Sequence, residues 1–216
     1  MTSPRISART LLQETFATMG PLYASLLTIN SPSLIFSALN SLGKLGSAGV
    51  AFNIIYSFVV IPLLSGAMIF YTYRSLTRNQ VTVGQAFNQA NRRLLHLILV
   101  YIMFVGLVFA GLIALIIPGL YLAYRLIFSL YATVIDNSSA LDSLSSSWEL
   151  TKGRWWLVFR ASFLIVFVVA VPIIVISLLI DPTAKSVASQ FGGNLLGFLA
   201  APLMNVYLVL LYLRLR

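Results

Sequence analysis

Long uncharged runs alternate along the chain with short segments that mix polar and apolar residues. A helix needs about 20 apolar residues to cross a bilayer. Six runs predict six spans, over residues 21–43, 49–73, 94–117, 119–135, 155–180 and 191–212. The fourth is short and contains Arg125, and Asn30-Ser31-Pro32 interrupts the first, either as a kink or as the end of that span. Five spans are therefore the alternative to six.

Three of the mixed segments resemble one another. They read TLLQETFATMGPLYASLL (10–27), TVGQAFNQANRRLLHLILVY (82–101) and SALDSLSSSWELTKGRWWLVFR (139–160). Phe16, Phe87 and Trp148 occupy equivalent positions in the three copies. Because each copy precedes two uncharged runs, the pattern predicts three similar units, over about residues 5–76, 80–136 and 138–213.

Each mixed segment places its apolar residues on one helical face. The three faces are Leu12, Phe16 and Met19; Val83, Ala86, Phe87 and Ala90; and Ala140, Leu141, Leu144 and Trp148. Thr82 and Ser139 are placed to cap the second and third helices, and Gly153 to end the third. Such helices lie in the headgroup plane with the apolar face toward the acyl chains. We expect the aromatic residues to anchor them, with Trp155 and Trp156 at headgroup depth.

The composition supports a membrane protein. Hydrophobic residues make up 59% of the chain and charged residues only 9%, whereas soluble domains carry about 25% charged residues. Alternating strand patterns are absent from the sequence, and backbone groups in lipid must be paired internally. We expect an all-α polytopic membrane protein with about six transmembrane helices. The helices form three hairpins, each preceded by an amphipathic interfacial helix.

Positive charge is distributed unevenly between the two sides of a six-span protein. The side with both termini carries eleven cations: Arg5, Arg9, Arg74, Arg78, Arg92, Arg93, Lys152, Arg154, Arg160, Arg214 and Arg216. The other side carries only Lys44 and Lys185. Lys and Arg concentrate in cytoplasmic loops, so we expect both termini in the cytoplasm, with no signal peptide at the start. The net charge of +9 then indicates attraction to anionic lipids rather than to nucleic acid.

Two stretches resemble a known family. Residues 116–125 (IIPGLYLAYR) and 134–159 together resemble the integral membrane domain associated with bacterial glycerophosphodiester phosphodiesterases and related stand-alone membrane proteins of unknown function. The matching positions are Pro118-Gly119, Arg125, Asp136 and the run from Trp148 to Trp155. The resemblance implies three helical hairpins in a bacterial cytoplasmic (inner) membrane. It carries over no catalytic residue, because the hydrolase of that family is a separate soluble domain.

Arg125 is the charged residue that lies well inside a predicted span. An intramembrane cation is costly without a partner, and no Asp or Glu lies in any predicted span. Arg125 follows Pro118 by seven residues, about 10 Å along a helix, which lets its side chain snorkel to the far headgroups. The alternatives are bonds to carbonyls freed at a kink, or contact with an anion such as a lipid phosphate or a transported solute.

Four further cations are candidate contacts for lipid phosphates. Arg92 and Arg93 lie at the junction between the second amphipathic segment and its span, and Lys152 and Arg154 at the third. We therefore expect anionic membrane lipids as partners, and a membrane-protein partner at the cytoplasmic face. Asn205 in the last span is a candidate for an interhelical hydrogen bond.

The sequence offers little for catalysis. His96 is the one histidine and cysteine is absent, so we expect no metal site and no cofactor. Paired carboxylates, nucleophile motifs and phosphate-binding loops are also missing from the sequence. The chain is therefore predicted not to be an enzyme.

Two functions stay open. The first is a non-enzymatic accessory or structural subunit in lipid or membrane-complex organisation. The second is a transporter or channel for a small anionic solute, using Arg125 and the broken first span. Convergence of Arg125, Asn30 and Asn205 on one cavity would favour transport, and an Arg125 that faces lipid would favour the subunit. Polar groups are scarce in the spans, which favours the subunit.

Overall fold

The computed structural model describes residues 7–41, 49–77, 79–180 and 187–216. These residues form ten α-helices and one π-helical segment, and no strand occurs among them. The elements are α1 (Ala8–Ser41), α2 (Gly49–Ile55), the π-helical segment (Tyr56–Val60), α3 (Ile61–Leu76), α4 (Val83–Arg92), α5 (Leu94–Ala114), α6 (Ile116–Arg125), α7 (Ser129–Ile135), α8 (Ala140–Thr151), α9 (Trp155–Ile180) and α10 (Val187–Leu215). Four of the cations that set the predicted orientation lie outside the described residues: Arg5, Lys44, Arg78 and Lys185.

Six stretches of these helices are long and apolar enough to cross a membrane. They are Ala8–Asn40, Gly49–Leu76, Leu94–Ala114, Ile116–Ile135, Trp155–Leu179 and Phe191–Leu215. The second combines α2, the π-helical segment and α3, and the fourth combines α6 and α7. The predicted all-α polytopic class with six spans is confirmed.

The first amphipathic segment is not a separate helix. α1 continues through Gly20-Pro21 and through Asn30-Ser31-Pro32, so the expected boundary between an interfacial helix and the first span is wrong. Pro32 has no N–H with which to bond the carbonyl of Thr28, four residues earlier. The Ser31 hydroxyl donates to that carbonyl instead, at 2.9 Å. This substitute bond lets the helix pass its proline, so Asn30-Ser31-Pro32 does not end the span.

The second amphipathic segment forms α4, which folds back along α3. It begins at a capping box, in which the Gln85 N–H donates to Thr82 Oγ1 at 3.2 Å and the Thr82 N–H donates to Gln85 Oε1 at 2.9 Å. Its buried residues Ala86 and Ala90 pack against α3, with Ala90 beside Gly66. Since Gly66 lies ten residues before the end of α3, α4 runs back along the span. Its predicted apolar face is confirmed, but the face packs on protein and not on acyl chains.

The third amphipathic segment forms α8, with the predicted start and stop. The Asp142 N–H donates to Ser139 Oγ at 3.3 Å, which caps the N-terminus. Gly153 follows the last turn with φ of +70°, a left-handed conformation in which a side chain would be strained. Both boundaries were readable from the sequence because each depends on a local interaction.

α1 and α10 run antiparallel and bring the two ends of the described chain together. The Arg214 guanidinium pairs with the Glu14 carboxylate, and the Tyr23 hydroxyl donates to the Leu199 carbonyl at 3.1 Å. Close by, Asp136 at the end of α7 pairs with Arg216 at 2.9 Å. We call this end of the helix bundle, marked by Glu14, Arg214 and Asp136, the terminal end.

The buried core lies where α1, α3, α7, α9 and α10 meet. Its largest fully buried side chains include Leu26, Ile29, Ile69, Phe128, Ile165 and Tyr207. In contrast, α6 packs mainly on α5. Many of their apolar side chains are left uncovered by protein, as expected for helices surrounded by lipid.

Two glycines allow the close packing of α5 on α6. A Cβ built on Gly111 would lie 2.9 Å from the Cα of Gly119, and a Cβ on Gly119 would lie 2.8 Å from the backbone nitrogen of Leu112. Both distances are too short for real atoms. Small residues let membrane helices approach this closely, so the hairpin depends on both positions.

We predict that Gly111→Ala destabilises the protein by about 1–3 kcal/mol, because the helices must separate to admit the methyl group. Gly106→Ala on the same helix is the matched control, since no atom lies within 4 Å of a Cβ built there. It should leave stability unchanged or raise it by less than about 1 kcal/mol. Thermal unfolding in detergent measures both, and equal effects of the two substitutions would contradict the packing argument.

Candidate functional site

The fourth span is broken next to its arginine. α6 ends at Arg125, residues 126–128 are not helical, and α7 begins at Ser129. A break of this kind frees backbone N–H and C=O groups that lipid cannot bond. Partners for these groups must come from elsewhere in the protein.

Hydroxyl groups of α8 provide those partners. The Ser147 hydroxyl donates to the Arg125 carbonyl at 2.9 Å and accepts from the Phe128 N–H at 3.1 Å. The Thr151 hydroxyl lies 3.2 Å from the same Arg125 carbonyl. Ser147 therefore bonds both sides of the break, and Thr151 contacts the carbonyl side as well.

A third hydroxyl extends this contact along α7. The Thr133 hydroxyl donates to Ser143 Oγ at 2.8 Å. Ser143, Ser147 and Thr151 are spaced four residues apart and all are buried, so they form one face of α8, which we call the hydroxyl face. Ser143 bonds Thr133, whereas Ser147 and Thr151, later in α8, contact the earlier residue Arg125. α8 therefore runs antiparallel to α7.

The face of α8 that packs on protein is not the predicted apolar face. Of Ala140, Leu141, Leu144 and Trp148, Leu144 alone is buried. Leu141 is 68% exposed, and the hydroxyl face takes its place against protein. The sequence carries a signal for this face as Ser and Thr at four-residue spacing, but the face predicted from the sequence is defined by the apolar residues alone.

The Arg125 side chain is buried beneath α8, with 5% of its surface exposed. Its guanidinium carbon lies 4.0 Å from the centroid of the Trp148 ring and 5.6 Å from that of Tyr121. Nη1 donates to the Thr151 hydroxyl at 3.3 Å. Aromatic faces attract a desolvated cation by about 2 kcal/mol or more, so they take the role that a carboxylate would have. The predicted snorkelling to distant headgroups is wrong, because the side chain is enclosed by protein.

The predicted aromatic anchors have different environments. Phe16 and Trp156 are 60% and 55% exposed and face outward, as anchors must. Phe87 is half-buried and packs against the core. Trp155 is also half-buried, with its ring centroid 5.7 Å from that of Tyr121. Trp148 covers Arg125, so it packs inside the protein as well.

The first pair of predicted anion contacts lies at the turn between α4 and α5. Arg92 is exposed and Arg93 is half-buried. The Arg93 N–H donates to the Ala90 carbonyl at 3.1 Å and closes the end of α4. The turn therefore holds the Arg92 side chain at the protein surface.

The second pair follows α8. Lys152 is exposed and pairs with Glu149 at 3.4 Å. Arg154 Nη1 donates to the carbonyl of Leu215 near the terminal end, at 2.9 Å. Exposed ion pairs contribute little stability, so Lys152 can exchange Glu149 for a lipid phosphate. Arg154 has guanidinium N–H groups besides Nη1 with which to contact one. Arg125 lies buried below them and does not share their surface.

A cavity of about 480 Å³ lies between α1, α3, α7 and α10. Asn30 and Asn205 both border this cavity, but Arg125 does not. Asn205 Nδ2 donates to the Met68 carbonyl at 3.1 Å and to Thr72 Oγ1 at 2.7 Å. The predicted interhelical hydrogen bond of Asn205 is thus confirmed, while the three predicted polar residues do not converge.

His96 is half-buried at the start of α5. Within the described residues no group of three His, Cys, Asp or Glu side chains is placed to hold a metal ion. Comparison of the chain with family models, curated proteins and solved structures finds no match. The arrangement of the residues themselves therefore carries the functional argument.

We predict that Ser147→Ala lowers the free energy of unfolding by about 1–3 kcal/mol, because it leaves the buried Phe128 N–H without an acceptor. Ser146→Ala is the matched control, since Ser146 is the exposed neighbour on the same helix. That substitution should stay within about 0.5 kcal/mol of the parent. Unfolding in detergent measures both variants. Equal stability would show that α8 does not close the break.

We predict that Arg125→Gln destabilises the protein equally with and without inorganic phosphate or anionic lipid, because the guanidinium contacts Trp148 and Thr151 and not an external anion. Arg125→Lys should recover part of the loss, since it restores the charge without the planar stacking group. Arg160→Gln, next to the exposed Trp156, is the control. An anion-dependent rise in melting temperature that vanishes in Arg125→Gln would contradict the structural role.

Proposed function

We propose that the chain is a non-enzymatic integral membrane subunit that acts in lipid or membrane-complex organisation. The observation that carries the proposal is that polar side chains of the spans form hydrogen bonds between helices. Arg125 bonds to α8, and Asn205 bonds to α3. Channels and transporters need several polar groups that face one passage, whereas Arg125 and Asn205 are committed to bonds between helices and Arg125 lines no cavity with Asn30 and Asn205.

The two features that motivated anion transport give it little support. The first span is continuous through Asn30-Ser31-Pro32, and Arg125 is enclosed by Trp148 and Tyr121. An anionic solute would therefore find neither the broken helix nor the cation in its path. The subunit function is the better supported of the two.

The working surface in this proposal consists of the cations at the two helix junctions. Arg92 and the half-buried Arg93 lie after α4, and the exposed Lys152 and Arg154 lie after α8. Each cation near an anionic bilayer surface contributes about 1 kcal/mol of attraction. Trp156 is exposed beside them in sequence and suits the headgroup region, where an indole keeps one edge wet. Anionic lipids and a membrane-protein partner at this surface belong to the same proposal.

We further propose a bacterial cytoplasmic membrane, with both termini on the cytoplasmic side. The contact between Glu14 and Arg214 supports termini that share one side. The concentration of Lys and Arg in the segments on that side supports a cytoplasmic assignment. The family resemblance of residues 116–125 and 134–159 supports the bacterial origin.

We predict that phosphatidylglycerol stabilises the protein more than phosphatidylcholine does, and that the double variant Arg92→Gln, Arg93→Gln loses part of this difference. The expected loss is about 1 kcal/mol per cation at low salt, and it should shrink as salt screens the charges. Thermal unfolding in nanodiscs of each lipid measures the difference.

The control is the double variant Arg92→Lys, Arg93→Lys, which keeps both charges. It should retain the preference for phosphatidylglycerol. A preference that survives the Gln variant unchanged, or a parent protein with no preference at all, would refute this surface as the working one.

A further inference from the structure

A second cavity of about 400 Å³ adjoins the cavity between α1, α3, α7 and α10. Asn30, Ser33 and Tyr56 line both cavities and form their shared border. We call them the inner cavity, which reaches α7, and the outer cavity, which lies between α1, the π-helical segment and α10. Each volume is within the range of small-molecule sites.

The two cavities differ in chemistry. Beyond the shared border, the inner cavity is lined mostly by apolar side chains: Ile61, Leu64, Met68, Leu130, Met204 and Leu208. The outer cavity instead presents Ser37 and Asn40 of α1 and Asn194 of α10. An apolar compartment thus continues into one with hydroxyl and amide groups, which is the distribution expected for an amphipathic ligand.

No side chain that lines either cavity among the described residues is a Lys, Arg, His, Asp or Glu. Bringing a charged headgroup into such a site would cost its hydration without an opposite charge in return. An uncharged head can be satisfied by the available hydroxyls and amides. The lining therefore gives an ion or a charged headgroup no opposite charge, and it favours an uncharged head.

One buried hydroxyl of the outer cavity lacks a partner. Ser37 Oγ is inaccessible to solvent and makes no hydrogen bond to another described residue. Buried polar groups are nearly always bonded, and an exception calls for a specific cause. Protein atoms cover Ser37 Oγ in this conformation, so a hydroxyl or carbonyl of a bound molecule would supply the missing bond after the Ser37 side chain rotates toward the cavity.

Two departures from regular helix border the inner cavity. The π-helical segment begins with Tyr56, and the break between α6 and α7 includes Ile127. π-Helical turns occur often at functional sites, and discontinuous membrane helices mark binding sites in transporters. The two irregular segments come from different spans, and both contribute to this one cavity.

The outer cavity lies away from the terminal end. Asn40 is ten residues beyond Asn30 on α1, about 15 Å along the helix. Asn40 is exposed whereas Asn30 is buried. The polar compartment therefore reaches the protein surface at Asn40.

We propose that the two cavities form one binding site for an uncharged amphiphile. Its apolar chain occupies the inner cavity, and its hydroxyl- or amide-bearing head bonds Asn30, Ser37 and Asn40 in the outer cavity. A monoacylglycerol has this chemistry. The site is independent of the cationic surface at the helix junctions, which contacts charged headgroups.

The test uses a monoacylglycerol with a photoreactive diazirine in its chain, placed with the full-length protein in phosphatidylcholine nanodiscs. Peptide mass spectrometry should find saturable labelling at Leu64, Met68, Met204 and Leu208. Unlabelled monoolein should compete at a concentration at least tenfold lower than lysophosphatidylglycerol of the same chain length. Non-saturable labelling confined to outward-facing residues such as Phe109 and Leu179, or equal competition by the charged lipid, overturns the proposal.

Variants of the lining complete the test. Asn30→Leu removes the amide with little change of volume and should weaken competition by monoolein about three- to tenfold. Asn40→Leu, at an exposed position that tolerates substitution, should act in the same direction even if Asn30→Leu fails to fold. Asn53→Leu on α2 lines neither cavity and should leave binding unchanged. Equal binding by Asn40→Leu and Asn53→Leu would place the head elsewhere and refute the proposal.

Discussion

Backbone groups inside a bilayer must find hydrogen-bond partners within the protein, and the arrangement of this molecule depends on how that demand is met at residues 126–128. The fourth span stops there, and Ser147 and Thr151 bond the freed groups. An unbonded amide or carbonyl in hydrocarbon costs several kcal/mol. The hydroxyl face of α8 is therefore a condition for the break to exist.

The break in turn positions the other features. Ile127 of the break and Leu130 and Tyr131 of α7 line the inner cavity. The break also ends α6 at Arg125, whose guanidinium α8 covers with Trp148. One set of neutral hydrogen bonds thus fixes the cavity lining and also gives a buried cation its partners.

The sequence predicts what depends on hydrophobic length and local capping. The spans and the starts of α4 and α8 follow from those signals. The sequence could not show which face of an amphipathic helix packs on protein. The residues next to Leu141 and Ser147 in the sequence are the same whether the apolar face or the hydroxyl face of α8 points inward. Only the tertiary contact with α7 decides that Ser147 faces inward and Leu141 outward. For the same reason the cavity at Asn30 and Asn205 could not be predicted, since four helices distant in sequence build it.

The dependence of α7 on α8 has a consequence for biosynthesis. Ser147 and Thr151 lie about 20 residues after the break that they close. When residues 126–128 leave the ribosome, their bonding partners have not yet been made. The fourth span therefore cannot satisfy its backbone hydrogen bonds in lipid by itself. Until α8 has folded back, its free backbone groups need partners from water, the translocon or the earlier helices. Insertion of the hairpin that contains α6 and α7 is therefore completed by α8, which follows it in the chain. A chain truncated before Thr151 would leave that insertion incomplete.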